Sequence, residues 1–396
     1  MKDFYVSNQV VYRDRNNSDS RKWDGLDERF DGSLELLPMW IADMDFQAPQ
    51  CVIDALKNYV DFGVFGYYRV PDEYFDAIIR WEKEQHGYEI EREWICFSPG
   101  VVSGFNWLLQ AYTQPGDAVI IQTPVYYPFG EAVVNNGRKL VESELIRTEN
   151  SYQIDLQDFE EKINKEEVKA FILCSPHNPC GRVWRREELV SILTICAKHN
   201  VIVIADEIHQ DIIMQGYEQI PAATVGDFDK NLVTIAAPSK TFNIAGCQNS
   251  FVIIPDAELR AKYKNHVKEL RVNGGNPFGY IACTAALTGG HEWLAEVNGI
   301  IEGNFLYLKE TLEESLPEIW IADLQGTYLA YLDLGAYVSA EEIEDFVLRE
   351  CHIAPDFGSW FGGENSGTCI RLNLATSREN VEKAAAQIIS AVKERS

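Results

Sequence analysis

The 396-residue chain has no C-x-x-C pair, no internal repeat and no low-complexity tract. Nor has it an apolar run approaching the roughly 18–20 residues that span a bilayer. Solenoids, linker-joined modules and membrane spans are therefore excluded. Its start, Met1-Lys2-Asp3-Phe4-Tyr5, lacks the apolar core of a signal peptide. Basic residues are scarce: 35 Lys and Arg stand against 61 Asp and Glu, for a formal net charge of −26. Such a surface repels phosphate backbones, which excludes nucleic acid and anionic membrane as partners. An anionic ligand would need a local positive pocket. The nine cysteines are scattered singly, several inside apolar runs such as Phe171–Cys174. They read as reduced, buried thiols in a reducing compartment, so the expectation is a soluble, cytoplasmic protein.

Hydrophobic residues make up 46% and charged residues 24%, an ordinary globular composition. At roughly 150 residues per domain, this length corresponds to about two to three domains. Short apolar runs predict strands at Ala118–Gln122, Val168–Cys174, Val201–Ala205, Leu232–Ala236 and Phe251–Ile254. Helical patterns lie between them, notably Arg185–His199 with Leu189, Ile192, Leu193 and Cys196 on one face. Strands apolar on both faces and separated by helices predict an α/β fold with a mainly parallel sheet sandwiched by helices. Beyond about residue 288 the pattern changes to a smaller α+β domain. It has helices at Glu292–Glu314, Ala340–Arg349 and Arg378–Lys393 and a strand at Thr368–Leu374. The predicted division is an N-terminal arm with part of the small domain (1–48), a large domain (49–288) and a small C-terminal domain (289–396).

Chemistry-bearing residues cluster where predicted strands end. Lys240, in Ala237-Pro238-Ser239-Lys240-Thr241, directly follows an apolar strand. An isolated lysine there is ordinarily a surface residue. In a semi-buried cleft its pKa falls, and it can form a Schiff base with an aldehyde. Asp206 ends the run Val201–Ala205, where open α/β sheets bind ligands. It reads either as a helix N-cap or as the partner of a protonated ring nitrogen. Asn178 sits in Ser175-Pro176-His177-Asn178-Pro179-Cys180-Gly181, a tight loop after a strand that turn formation alone would also explain. Gly100-Val101-Val102 opens a helix whose free N–H groups can cradle a phosphate. Cys174, His177 and Cys180 lack a fourth ligand nearby, so no metal site is read there.

Taken in order, these motifs resemble the fold-type I pyridoxal-phosphate enzymes of the class I/II aminotransferase superfamily. Within it the chain resembles the cystathionine β-lyase and cystalysin branch of carbon–sulfur lyases. The resemblance also rests on Met39–Phe46, Phe65-Gly66-Tyr67, Thr123–Phe129, Gly326-Thr327-Tyr328 and Ile370-Arg371-Leu372-Asn373, with His209 three residues after Asp206 where ordinary aminotransferases usually carry Tyr. It implies a seven-stranded large-domain sheet, pyridoxal 5′-phosphate as cofactor, a small amino-acid substrate and a homodimer. It implies that Lys240 bonds the cofactor and then takes the substrate α-proton, and that Asp206 keeps the ring nitrogen protonated. Asn178, with His209 beside it, would serve the ring oxygen, and Tyr126 would stack on the ring. Gly100, Val101, Val102 and Ser239 would hold the phosphate, with Tyr67 reaching it from the neighbouring subunit. Arg371 would clamp the substrate α-carboxylate, with Ala42 and Tyr127 beside the substrate.

Tyr127 reads equally as an aid to proton transfer or as core. Two departures from the aminotransferase pattern are Ala237, where many relatives carry a hydroxyl, and Ala245-Gly246-Cys247-Gln248, where many carry an arginine. The implied activity is β-elimination from cystathionine, cysteine or related S-conjugates to pyruvate, ammonia and a thiol. A broad-specificity aminotransferase, or a regulatory protein that binds a partner with lyase activity incidental, are the alternatives.

Overall fold

The computed structural model describes residues 9–272 and 274–395, so the opening segment Met1–Tyr5 lies outside the described residues. Seven strands form the large sheet: β1 (Ile95–Ser98), β2 (Ala118–Thr123), β3 (Lys139–Glu144), β4 (Ala170–Cys174), β5 (Ile202–Asp206), β6 (Leu232–Ala236) and β7 (Ser250–Ile253). Their spatial order is β1-β7-β6-β5-β4-β2-β3, with β7 antiparallel to both of its neighbours and the other pairings parallel. The mainly parallel α/β sheet is as the strand pattern predicts, and its seven strands are as the family resemblance implies. Strands β2, β4 and β6 are buried at every residue, as helices on both faces require.

Helix α1 (Val101–Tyr112) covers one face through Phe105, Leu108 and Leu109. It lies so close that a Cβ on Gly104 would stand 2.1 Å from Ile235 Cδ1 and 2.7 Å from Ser98 Oγ, so any larger residue there requires those side chains to shift. Helix α2 (Arg186–Lys198) buries Leu189, Ile192, Leu193 and Cys196, the face expected from their spacing. Helix α3 (His291–Ser315) leads into a four-stranded antiparallel sheet of β8 (Trp320–Ile321), β9 (Leu329–Asp333), β10 (Asp356–Phe357) and β11 (Cys369–Asn373), in the order β8-β9-β11-β10. Helix α4 (Arg378–Arg395) closes the fold. Leu37–Pro38 pairs in parallel with Ile353–Ala354 as a separate two-stranded sheet and so carries the N-terminal segment onto the C-terminal part of the chain.

The helix expected at Ala340–Arg349 is shorter and wider. Glu342 N–H bonds back to Ser339 O, one helical turn covers Ile343–Asp345, and a π-turn runs from Phe346 to Glu350. Strands β1 and β3, the two edges of the large sheet, have no counterpart among the predicted strands. Among the described residues no helix is long and apolar enough to cross a membrane.

Candidate active site

The turns that leave β1, β2, β4, β5 and β6 converge at the carboxyl ends of the strands, the ligand-binding edge of an open parallel sheet. They enclose a cavity of about 200 Å³ lined by Gly100, Val101, Val102, Tyr126, Asn178, Asp206, His209, Ser239, Lys240 and Ala42, each of them anticipated from the sequence. Among the described residues, Lys240 and Asp206 are the ones lining it with an ordinarily charged side chain.

Lys240 sits on a single helical turn, Pro238–Thr241, that starts two residues after β6. Its amine donates to Ala42 O at 2.5 Å, an oxygen that also accepts from Tyr328 OH at 2.8 Å. Burial lowers the amine to about 8, with Arg371 pulling it the same way and Asp43 and Asp206 opposing. The Ala42 segment is itself pinned. Asn243 bonds Met44 N, Met44 O and Phe46 O, and Asn373 donates to Ile41 O and Asp43 O, both at 2.6 Å.

Asp206 ends β5 and is 3% exposed. Burial pushes its carboxyl up to about 7; the Ile208 N–H at 3.1 Å and the charge of Lys240 offset that only in part. Its second oxygen has no protein partner among the described residues. His209 is buried edge-on to Tyr328, with ring centroids 5.7 Å apart, and its Nδ1 has no partner. Burial, with Lys240 and Arg371 nearby, keeps this imidazole neutral.

The Asn178 loop is tied to the Tyr126 loop by Tyr126 N–H to Asn178 O at 3.0 Å and by the His177 ring to Pro124 O at 2.8 Å. Burial lowers His177 to about 4, so its ring is a neutral strut between the two loops. The Asn178 Oδ1 accepts from Arg371 Nη1 at 2.7 Å, which leaves its amide nitrogen free to donate. Arg371 is 2% exposed and does not line the cavity. Its fork also reaches Trp40 O and the buried carboxylate of Asp356, opposite it in the β10–β11 register, while its Nε is unpartnered.

Two anticipated residues stand apart. Tyr127 is half-buried among Tyr126, Trp360 and Phe361, with ring centroids at 5.7, 6.3 and 5.9 Å, outside the cavity lining. Tyr67 is fully exposed and does not line the cavity of its own chain. Asn249, which the sequence reading missed, lines the cavity with a buried amide nitrogen that has no partner. The Asn249-Ser250 pair before an apolar strand is the signal that could have found it.

These donors match one kind of ligand. At the start of α1 a Cβ on Gly100 would meet no atom within 4 Å, so the N–H groups of the first turn face open space suited to an anion. An open carboxylate oxygen at Asp206 suits a protonated ring nitrogen, and the Asn178 amide suits a ring oxygen. The Lys240 amine suits an aldehyde. Pyridoxal 5′-phosphate has all four groups.

The chain is 39% identical to cystathionine beta-lyase PatB of Bacillus subtilis, over 96% of this chain and 98% of that protein. The crystal structure of cystalysin from Treponema denticola, which contains a pyridoxal 5′-phosphate cofactor, matches with a TM-score of 0.92 and 34% identity over 98% of this chain and 100% of that one. The PLP-bound C-S lyase from Staphylococcus hominis matches with a TM-score of 0.91 and 34% identity over 98% and 99% of the two chains. The family model of aminotransferase class I and II spans residues 37–388, and the chain belongs to that family.

Proposed function

We propose that the chain is a pyridoxal-phosphate-dependent carbon–sulfur β-lyase that acts on cystathionine, cysteine or related S-conjugates and releases a thiol, pyruvate and ammonia. The observation that carries the chemistry is one cavity holding an amine lowered to about 8 opposite a buried carboxylate with an open oxygen. The choice of lyase over aminotransferase is supported by the relatives, which are named for C–S cleavage along nearly their whole length.

When bound, the cofactor supplies an electron-accepting ring for the pair left at Cα after proton removal. The protein's part is binding, orientation and proton handling. The Lys240 amine is basic near neutral pH and takes the α-proton. Asp206 holds a proton on the ring nitrogen, and Asn178, with His209 beside it, donates to the ring oxygen. Tyr126 packs on the ring face. The N–H groups of Gly100, Val101 and Val102, with Ser239, hold the phosphate without an arginine. Arg371 receives the α-carboxylate beside Ala42, and Tyr127 borders the leaving group.

The exposed apolar residues Val60, Phe62, Val64, Phe65 and Tyr67 support a homodimer in which Tyr67 completes the neighbouring phosphate site. Nine free thiols support a reducing, cytoplasmic location. The assignment of the N-terminal arm (1–48) to the small domain (289–396) is supported by the pairing of Leu37–Pro38 with Ile353–Ala354.

The test combines cofactor absorbance with pyruvate release from cystathionine and cysteine, with and without a keto acid. The expected result is a yellow protein that releases pyruvate and ammonia catalytically without an acceptor. Turnover only with a keto acid would make it an aminotransferase. A protein that stays colourless with added cofactor would remove Lys240 from its role and leave the partner-binding alternative.

A further inference from the structure

The charge of Arg29 reaches the buried Asp356 carboxylate, which Arg371 already pairs. Of the neighbouring acids, Glu28 pairs with Arg21 at 2.9 Å and Asp31 with Arg349 at 3.4 Å. Among the described residues the Arg29 guanidinium has no hydrogen bond or ion pair. It lies instead over two aromatic faces, 3.6 Å from the ring centroid of Trp360 and 5.3 Å from that of Tyr127. The neighbouring Phe30 is 8% exposed and anchors the turn edge-on against Trp40 at 5.3 Å. A stacked, anchored guanidinium keeps its planar fork of donors free and pre-oriented.

Its position relates it to the substrate side of the site. Tyr127 touches Tyr126, a wall of the cavity, and also Phe361, over which Arg371 lies at 5.0 Å. Arg29 and Arg371 thus stand at opposite ends of one aromatic array. Arg371 is buried and paired with Asp356, whereas Arg29 is exposed and unpaired. Resting on the lyase reading above, in which Arg371 receives the α-carboxylate and Tyr127 borders the leaving group, we propose that Arg29 binds a second carboxylate, one carried by the sulfur substituent. The preferred substrates are then thioether amino acids with an anionic group beyond the sulfur. The substituent would run along the Tyr127 and Trp360 faces, and the bidentate fork of Arg29 would close on its carboxylate.

The test compares pairs of ligands that differ by carboxylate against methyl, using the holoprotein and its Arg29→Met and Arg29→Lys variants. One pair, S-carboxymethyl-L-cysteine and S-ethyl-L-cysteine, is read by pyruvate release. The other, L-α-aminoadipate and L-norleucine, replaces sulfur by methylene, has no leaving group, and is read by calorimetric binding. In Arg29→Met, kcat/KM for the first acid and affinity for the second are expected to fall about tenfold, with both neutral partners changed by less than about twofold. Arg29→Lys restores part of the preference, and raising the ionic strength narrows it. Equal losses for acid and neutral ligands would make Arg29 only a strap on the aromatic array, and no loss for the acids would also overturn the proposal. Absence of pyruvate from both sulfur compounds with the parent protein would instead overturn the lyase reading, and the calorimetric pair would still decide Arg29.

Discussion

Asp206 and Asp211 lie five residues apart on one segment and are both buried, yet their surroundings are opposite. Asp206 has one backbone donor and an open oxygen, and burial lifts it to about 7. Asp211 is fully engaged. Its Oδ1 accepts from Trp81 Nε1 at 2.9 Å and from the His86 ring at 2.8 Å, and its Oδ2 accepts from Thr241 Oγ1 at 2.6 Å. Burial would raise Asp211 too, but the bond and charge of His86 outweigh it and the carboxyl ends below its usual range. Burial likewise opposes the charge on His86, and Asp211 prevails, leaving that imidazole at about 9. A buried carboxylate that is fully satisfied holds structure together; one left open has room for a ligand's positive charge. Here the two roles are linked, because Asp211 holds the residue next to Lys240.

The sharpest way to break this contrast is Asp206→Asn, which keeps shape and removes charge. If the ring proton depends on that charge, kcat/KM for pyruvate release falls on the order of 10²–10³-fold while the protein's thermal midpoint barely moves. A midpoint that drops with little change in kinetics would place Asp206 with Asp211 as a structural group. Asp211→Ala should behave in the opposite way. It strands His86, Trp81 Nε1 and Thr241 Oγ1 in the interior, at about 3 kcal/mol of stability, measured as a lower denaturation midpoint. Its activity loss at a temperature where it stays folded should be smaller than that of Asp206→Asn.

The contrast also explains what the sequence made legible. Asp206, Asn178 and Lys240 each follow an apolar strand closely, so strand position and residue type identify them together. Asp211 carries no such mark, since its partners His86 and Thr241 lie 125 and 30 residues away. Arg371 was recognisable from its motif, but its pairing with Asp356 arises only when β10 and β11 take their antiparallel register. The two missed strands of the large sheet are its edges. In β3, the edge position lets Glu142 and Glu144 alternate with the buried Val141 and Ser143, so no apolar run forms. The expected helix from Ala340 misread the acidic turn before Ile343 as helical, because its Glu-rich composition is also that of a good helix.

Titration sharpens the comparison because the two carboxyls have opposite signs. In the cofactor-free protein, Asp206 has a folded pKa of about 7 against an ordinary value of 3.8. The folded state binds the extra proton, so the stability from this group is complete below 3.8 and is lost as pH rises through about 7. His86, raised from 6.5 to about 9, contributes stability present below 6.5 and lost as pH rises through 9. Asp211, being lowered, contributes stability present above 3.8 and lost as pH falls through its folded pKa. Denaturation midpoints of the apoprotein should therefore fall between pH 6.5 and 9. Between about pH 7 and 9 that fall should shrink in Asp211→Asn, where His86 loses its charged partner, and persist in Asp206→Asn, which removes only the component below about 7. An identical slope in the parent and Asp211→Asn would show that His86 is not held in its charged form.

The smallest expected effect is at Thr241→Val, which removes one hydroxyl and nothing else of consequence in size. The change leaves Asp211 Oδ2 without its donor, a loss of about 1–3 kcal/mol for a buried hydrogen bond to a charged group. Because Thr241 and Lys240 share one helical turn, freeing the hydroxyl also loosens the anchoring of the amine. A positioning role predicts a fall in kcat of about three- to tenfold with KM nearly constant, since the carboxylate and phosphate contacts are untouched. Thr241→Ser, which restores the donor, should recover the rate. A merely structural hydroxyl would lower the denaturation midpoint of Thr241→Val while leaving kcat at the parent value. The two readouts together decide whether the satisfied carboxylate reaches the chemistry at all, or whether Asp206 acts there without it.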